Sequence, residues 1–257
     1  MLKKEESKFM DSDWMEGISS ISALIKGIES GVNTRQIIRI LYDKEKEAQK
    51  KRELSFLRAK AKQLGFLMES VSTEIIDQLT LGNTHGGIIA ECSPRQIPSL
   101  SKEVISSEGV YFILEGVEDP YNFGYAVRSL YAAGVDGVIL PPRNWMGAAG
   151  VVARSSAGAS EQMNMFVSDP VSALQMFKSR GYRVLCAGIR DSVSIFDADF
   201  SKPLLVIMGG EKRGISRALL DEADEIVRID YGRTFQGSLS TAAATAVFAF
   251  EILRNNR

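Results

Sequence analysis

From Val110 onward the chain alternates short apolar runs with segments of helical period, and this alternation restricts the fold more than any other feature. Val110–Leu114, Gly137–Leu140, Arg183–Ala187, Leu204–Met208 and Glu225–Ile229 read as strands. Between and after them, Phe123–Ala133, Val151–Gly158, Val171–Lys178 and Ser240–Arg254 read as helices. The strands are continuously apolar instead of alternating with polar residues, as in a sheet buried on both faces. Strand–helix alternation of this kind predicts an α/β fold with a mainly parallel sheet, helices covering each side.

A smaller α/β pattern precedes it. Ile18, Ile21, Ile25 and Ile28 recur at helical spacing, with Gly31 as a stop. Arg35–Tyr42 reads as a strand, Lys44–Gln63 as a charged helix and Phe66–Val71 as a second strand. Ser72 is placed to cap a short helix over Glu74–Leu79, and Gly87–Glu91 closes the unit. Pro94–Ser107 carries prolines and serines without a period and reads as a linker. The expected domains are therefore 1–100, with a polar, partly disordered lead-in over Met1–Asp13, and 108–257.

Composition removes several classes of function. With 2 cysteines there is neither a disulfide framework nor an all-cysteine zinc site. A single histidine, His85, rules out a histidine-rich metal cluster, and no G-x-S-x-G elbow accompanies it. No metal is expected. No run approaches the length of a membrane span, and the N-terminus lacks the apolar core of a signal peptide, so a cytoplasmic protein is expected. The net charge of -1 does not favour a nucleic-acid partner, although local basic clusters can hide within a balanced total.

In parallel α/β sheets, ligands sit where strands end and loops lead into helices. Three such loops have unusual composition. The first runs Glu115-Gly-Val-Glu-Asp-Pro-Tyr-Asn122-Phe-Gly124-Tyr-Ala-Val-Arg128. Arg128 follows Asn122 by nearly two turns, so that both can line one side of the helix start. The second, Met208-Gly209-Gly210-Glu211-Lys212-Arg213-Gly214, offers backbone groups to a nucleotide-like ligand. Its glycines do not follow the first strand, as a dinucleotide fingerprint would require. The third is Gln236-Gly237-Ser238-Leu239-Ser240-Thr241, before an alanine-rich helix that Ser240 or Ser238 is suited to cap. Taken singly, each also reads as an ordinary turn: a surface arginine, a solvated charge run, a helix cap.

In combination and order, these segments resemble the SpoU, or TrmH-type, branch of the SPOUT RNA methyltransferases. Asp119–Gly134 is similar to the first family motif, Gly209–Gly214 to the second and Ser238–Ala244 to the third, and Arg154–Glu161 also resembles a family segment. Serine stands at 240 where the family usually has asparagine. The N-terminal half, through Gly17, Arg35–Tyr42 and Thr84-His85-Gly86-Gly87-Ile88, resembles the small ribosomal-protein-like RNA-binding domain that precedes the catalytic one in many members.

The resemblance implies a C-terminal trefoil knot, a homodimer, S-adenosylmethionine as cofactor and methylation of a ribose 2'-hydroxyl of ribosomal or transfer RNA. By motif position, Gly209, Ile229 and Leu239 hold the cofactor through backbone contacts, with Gly210 and Gly214 shaping the loop. Asn122, Arg128, Glu211 and Ser238 form the polar centre. An arginine is protonated at ordinary pH, so Arg128 is expected to bind the adjacent phosphate and stabilise developing negative charge instead of acting as a simple base. Arg35, Arg39, His85 and Arg154 are candidate RNA contacts, as is the run Lys50–Arg52. His85 reads either as a structural hydrogen-bonding residue or as a group that stacks on a base. The alternative for the whole chain is a catalytically weakened member that binds RNA or cofactor, motivated by Ser240.

Overall fold

The computed structural model describes residues 14–80, 85–142 and 148–257. The lead-in over Met1–Asp13 and Thr84 of the Thr-His-Gly-Gly turn lie outside the described residues. The chain divides into two compact units. The described residues of 1–96 and 144–162 form the first, and those of 97–143 and 163–257 form the second.

The first unit is built on a four-stranded sheet. Its strands are β1 (Trp14–Glu16), β2 (Ile37–Asp43), β3 (Leu67–Val71) and β4 (Ile88–Cys92), in the order β1-β4-β2-β3. β4 pairs antiparallel with β1 and β2, and β2 pairs parallel with β3. Helix α1 (Gly17–Glu29) buries Ile21, Leu24 and Ile25 against Met15, Ile40, Leu54, Leu57 and Ile88, the face its isoleucine spacing predicted. The charged segment after β2 is not one helix from Lys44. The Asp43 carboxylate accepts from the N–H of Glu45 at 2.9 Å and fixes a 3-10 turn at Lys44–Lys46; α2 begins only at Lys51 and ends at Leu64. Ser72 precedes α3 (Thr73–Leu79) but makes no capping bond. Its hydroxyl serves the carboxylate of Glu74 instead and holds it below the usual range.

The sequence assigned 148–162 to the second domain by position. In the structure this segment, carrying α4 (Ala149–Ser155) and α5 (Ala159–Gln162), packs within the first unit. A buried charge cluster fastens it there. The Glu161 carboxylate accepts from Arg35 Nε at 3.0 Å and from Asn33 Nδ2 at 2.7 Å. Asn33 Oδ1 in turn accepts from the Arg35 N–H, and Arg35 Nη1 reaches the carbonyl of Ser93. Arg35 is 4 % exposed and Glu161 3 %. A Cβ at Gly27 would fall 2.0 Å from the Glu161 carbonyl oxygen, so only glycine lets α1 approach α5 this closely.

The second unit carries a seven-stranded sheet in the order β7-β6-β5-β10-β8-β11-β9, with every pairing parallel. Its strands are β5 (Val110–Glu115), β6 (Gly137–Leu140), β7 (Met165–Val167), β8 (Arg183–Ala187), β9 (Val193–Ser194), β10 (Leu204–Gly209) and β11 (Glu225–Arg228). β7 and β9 are too short to leave a period in the sequence. Tyr111, Ile113, Val184, Cys186, Leu205 and Ile207 pack with Ala173, Leu174 and Phe177 of α7 and Leu219 of α8. Here α6 is Pro120–Ala132, α7 Pro170–Lys178, α8 Arg217–Glu222 and α9 Thr241–Asn255. Helices α6 and α9 pack against one another. Among the described residues, no helix is long and apolar enough to cross a membrane, and no cluster of His, Cys, Asp and Glu could hold a metal ion.

Removing one partner of a buried, hydrogen-bonded ion pair leaves the other charge without compensation, at a cost of about 3–5 kcal/mol. Glu161→Ala is therefore expected to shift the unfolding of the first unit in urea downward by that amount. An unchanged midpoint would contradict the anchoring role given to the Arg35–Glu161 pair.

Candidate active site

β10 lies at the middle of the parallel sheet, between β5 and β8. Its register with β5 sets Gly209 opposite Glu115, so both strands end at one level and their loops emerge side by side. The turn after β10 closes on itself. The Gly214 N–H donates to the Gly210 carbonyl at 3.0 Å, and Gly214 holds φ 63. A Cβ at Gly210 would lie 2.0 Å from the Gly116 carbonyl oxygen in the loop after β5. Gly210 is needed because backbone meets backbone here, and Gly214 because of its left-handed φ; composition suggested both without revealing the reason.

Side chains join the three loops. Asp119 caps α6 by accepting from the Asn122 N–H at 2.8 Å, and Asn122 Nδ2 donates to Glu211 Oε1 at 2.9 Å. Lys212 pairs with Glu118 at 2.8 Å. The Thr241 hydroxyl, at the first position of α9, donates to the Gly209 carbonyl at 2.9 Å. Ser240 caps that helix, accepting from the Ala243 N–H at 3.2 Å, so the departure at this position leaves the cap in place.

A cavity of about 700 Å³ opens at these strand ends, within the usual size range for a small-molecule or cofactor site. Gly209, Gly210, Glu211, Gly214, Ile229, Ser238 and Leu239 all line it. Much of this wall is glycine and loop backbone, which suits a nucleoside read by main-chain groups. Asn122 reaches it through Glu211. Arg128 does not line it; it is exposed on α6, without a hydrogen bond or ion pair among the described residues.

The sequence reading missed several contributors. Tyr231 accepts from the Leu239 N–H at 3.2 Å and packs on Phe235 at 5.8 Å between ring centroids, and both line the cavity. They sit in a loop without a period, so nothing local marked them. The loop after β8, Gly188–Arg190, also contributes to the wall.

The candidate RNA contacts do not form one surface cluster. Arg35 is inside the first unit, held by Glu161, so it presents no charge to a ligand. His85 is 3 % exposed; its Nδ1 accepts from the Gly87 N–H and its Nε2 meets Asp77 at 3.1 Å, which makes it a structural residue unable to stack on a base. Arg39 is partly exposed and pairs with Glu91 at 2.6 Å. Arg154 pairs with Glu16 at 3.1 Å, and Lys50 with Glu53 at 3.3 Å.

A model described as the SpoU rRNA Methylase family matches residues 109–250. The chain belongs to this family. A second model, RNA 2'-O ribose methyltransferase substrate binding, matches residues 14–98. The chain is 28% identical over 250 residues to the 23S rRNA (guanosine-2'-O-)-methyltransferase RlmB of Shewanella oneidensis, covering 95% of this chain and 98% of that one. It is 31% identical to RlmB of Pseudomonas aeruginosa over 66% of this chain and 71% of the relative. Among solved structures, an RNA 2'-O ribose methyltransferase superposes with a TM-score of 0.78 at 19% identity, over 98% of this chain and 95% of that one. An AdoMet-bound rRNA methyltransferase from Sinorhizobium meliloti gives 0.76 at 22% identity, over 94% and 86% of the two chains. The chain thus joins an RNA 2'-O ribose methyltransferase substrate-binding unit to a SpoU methylase unit.

The close approach at Gly210 generates a test. Gly210→Ala forces the β10 turn away from the loop after β5 and is expected to weaken S-adenosylmethionine binding at least about ten-fold in calorimetry, roughly 1.4 kcal/mol. Wild-type affinity in this variant would show that the turn does not shape the cofactor cavity.

Proposed function

We propose that the chain methylates a ribose in large-subunit ribosomal RNA, with cofactor bound in the cavity at the ends of β10 and β11. One observation carries the substrate assignment: the likeness to RlmB of Shewanella oneidensis runs through both units of the chain, over 95% of its length. We place the activity in the cytoplasm, where ribosomal RNA is made in bacteria such as the source of that relative.

Within this reading, backbone groups of Gly209, Ile229 and Leu239 hold the cofactor, and Gly210 and Gly214 let the loop close around it. The bound sulfonium supplies a methyl group already activated for displacement. The protein must align the ribose oxygen with that methyl and stabilise the charge left as the hydroxyl loses its proton. Asn122 steadies Glu211 at the cavity wall, and Ser238 adds a hydroxyl. Arg128, exposed and unpaired on α6, is free to bind the neighbouring phosphate and offset developing negative charge on the oxygen.

A homodimer and a trefoil knot complete the proposal. Tyr125 on α6 is 48 % exposed, and Val247 and Phe250 on α9 are 38 % and 49 % exposed. Apolar side chains on two helices that pack together suit contact with a second copy. Arg128 lies three residues after Tyr125 and shares its helix face, which would set it beside that contact. The knot is supported by family membership.

The test is transfer of a tritiated methyl group to protein-free ribosomal RNA. Arg128→Ala is expected to lower kcat by at least about 100-fold, the scale of losing one donor to a developing oxyanion, with cofactor affinity retained. Full activity in Arg128→Ala would overturn its role. No transfer by the wild-type chain to any ribosomal or transfer RNA would overturn the function.

A further inference from the structure

A second cavity, of about 310 Å³, lies in the first unit at the start of α1. Nothing in the methyl-transfer chemistry uses it. Three independent features of its wall select the same kind of ligand.

The first is the helix end. α1 runs for 13 residues from Gly17, and no acidic residue occupies its first turn. Glu16, at the cap position, makes no capping bond and turns its carboxylate to Arg154 at 3.1 Å. The leading N–H groups and the positive end of the helix dipole therefore face the cavity uncapped by a side chain. The second is Ser20. It is 3 % exposed and lines the cavity, yet its hydroxyl has no hydrogen-bond partner among the described residues. Nor is its oxygen among the sealed, unsatisfied side-chain atoms, so it opens to the cavity. A polar group this deep normally has a partner; here the ligand supplies it. The third is a pair of cationic side chains in the wall: Lys50, whose ammonium pairs with Glu53 at 3.3 Å and keeps further protons to donate, and Arg154, paired with Glu16.

These groups are donors. Glu16, the one carboxylate among the described lining residues, is already neutralised by Arg154. His85 has both ring nitrogens engaged and is buried, so it offers no open face for stacking. A nucleobase would need acceptors and an aromatic platform; a phosphate needs the donor set present here. We propose that this cavity docks a phosphate group of the RNA substrate, seated on the α1 N-terminus with the Ser20 hydroxyl and Lys50 as side-chain donors. The inference rests on the reading of the chain as an RNA-modifying enzyme, and it names residues that hold the RNA away from the reacting ribose.

The experiment is equilibrium binding of protein-free 23S ribosomal RNA to the full chain over a range of KCl concentrations, for wild type, Ser20→Ala and Lys50→Gln. Both variants are expected to bind about three- to ten-fold more weakly. Lys50→Gln should also reduce the slope of log K against log salt by about 0.7–0.9, the signature of one lost phosphate contact. Ser20→Ala should melt no lower than wild type, because the hydroxyl has no protein partner to lose. Wild-type RNA affinity in both variants overturns the site while leaving the enzyme reading intact. A parallel arm uses inorganic phosphate. If phosphate raises the melting temperature of wild type but not of Ser20→Ala, and RNA affinity is equal in the two, the cavity takes a free phosphate and the proposal falls. A wild-type chain that binds no RNA at all defeats the RNA reading itself, and this site with it.

Discussion

An all-parallel sheet delivers every strand end to the same edge, and the candidate site follows from that constraint. β5 and β10 run in register to Glu115 and Gly209, so the loops that follow them must share one space. Two backbones can share it only where a side chain is missing, at Gly210, whose Cβ would collide with the Gly116 carbonyl. Once the turn after β10 is pressed there, its carbonyl at Gly209 meets Thr241, and the start of α9 is fixed as well. Asn122 and Glu211 then tie the first loop to the second. The cavity at the strand ends, the Asn122–Glu211 contact and the seat of the final helix all adjoin one close backbone approach.

Much of this is legible in the sequence. Continuous apolar runs marked β5, β6, β8 and β10 because a strand buried on both faces has no polar side to hide, and the shorter apolar pair Ile226-Val227 marked β11, which is only partly buried. Glycine clusters at the ends of such runs marked the loops. Elements without a period were not legible: β1, β7 and β9 are only two or three residues long. The false helical start at Lys44 has the same origin, since a charged segment carries no sign of where a side chain such as Asp43 interrupts it.

Long-range partners were the other blind spot. Arg35 looked like a surface cation because arginine usually is one, and its partner Glu161 lies 126 residues away. His85 looked like a candidate ligand until Asp77 and Gly87 were seen to occupy both its nitrogens. Tyr231 gave no local signal, yet it bonds the backbone of Leu239, a residue the family motif does mark. Sequence pattern located groups that line the cavity; it did not locate the groups that hold them.

The central claim is that the methyl group arrives on ribose oxygen and not on a base. Ribosomal RNA incubated with the chain and S-adenosylmethionine bearing a deuterated methyl, then digested to nucleosides and weighed by mass spectrometry, tests it directly. The prediction is a deuterated 2'-O-methyl nucleoside whose linkage resists alkaline cleavage before digestion. Label on a base, or a labelled linkage cleaved by alkali, would contradict it.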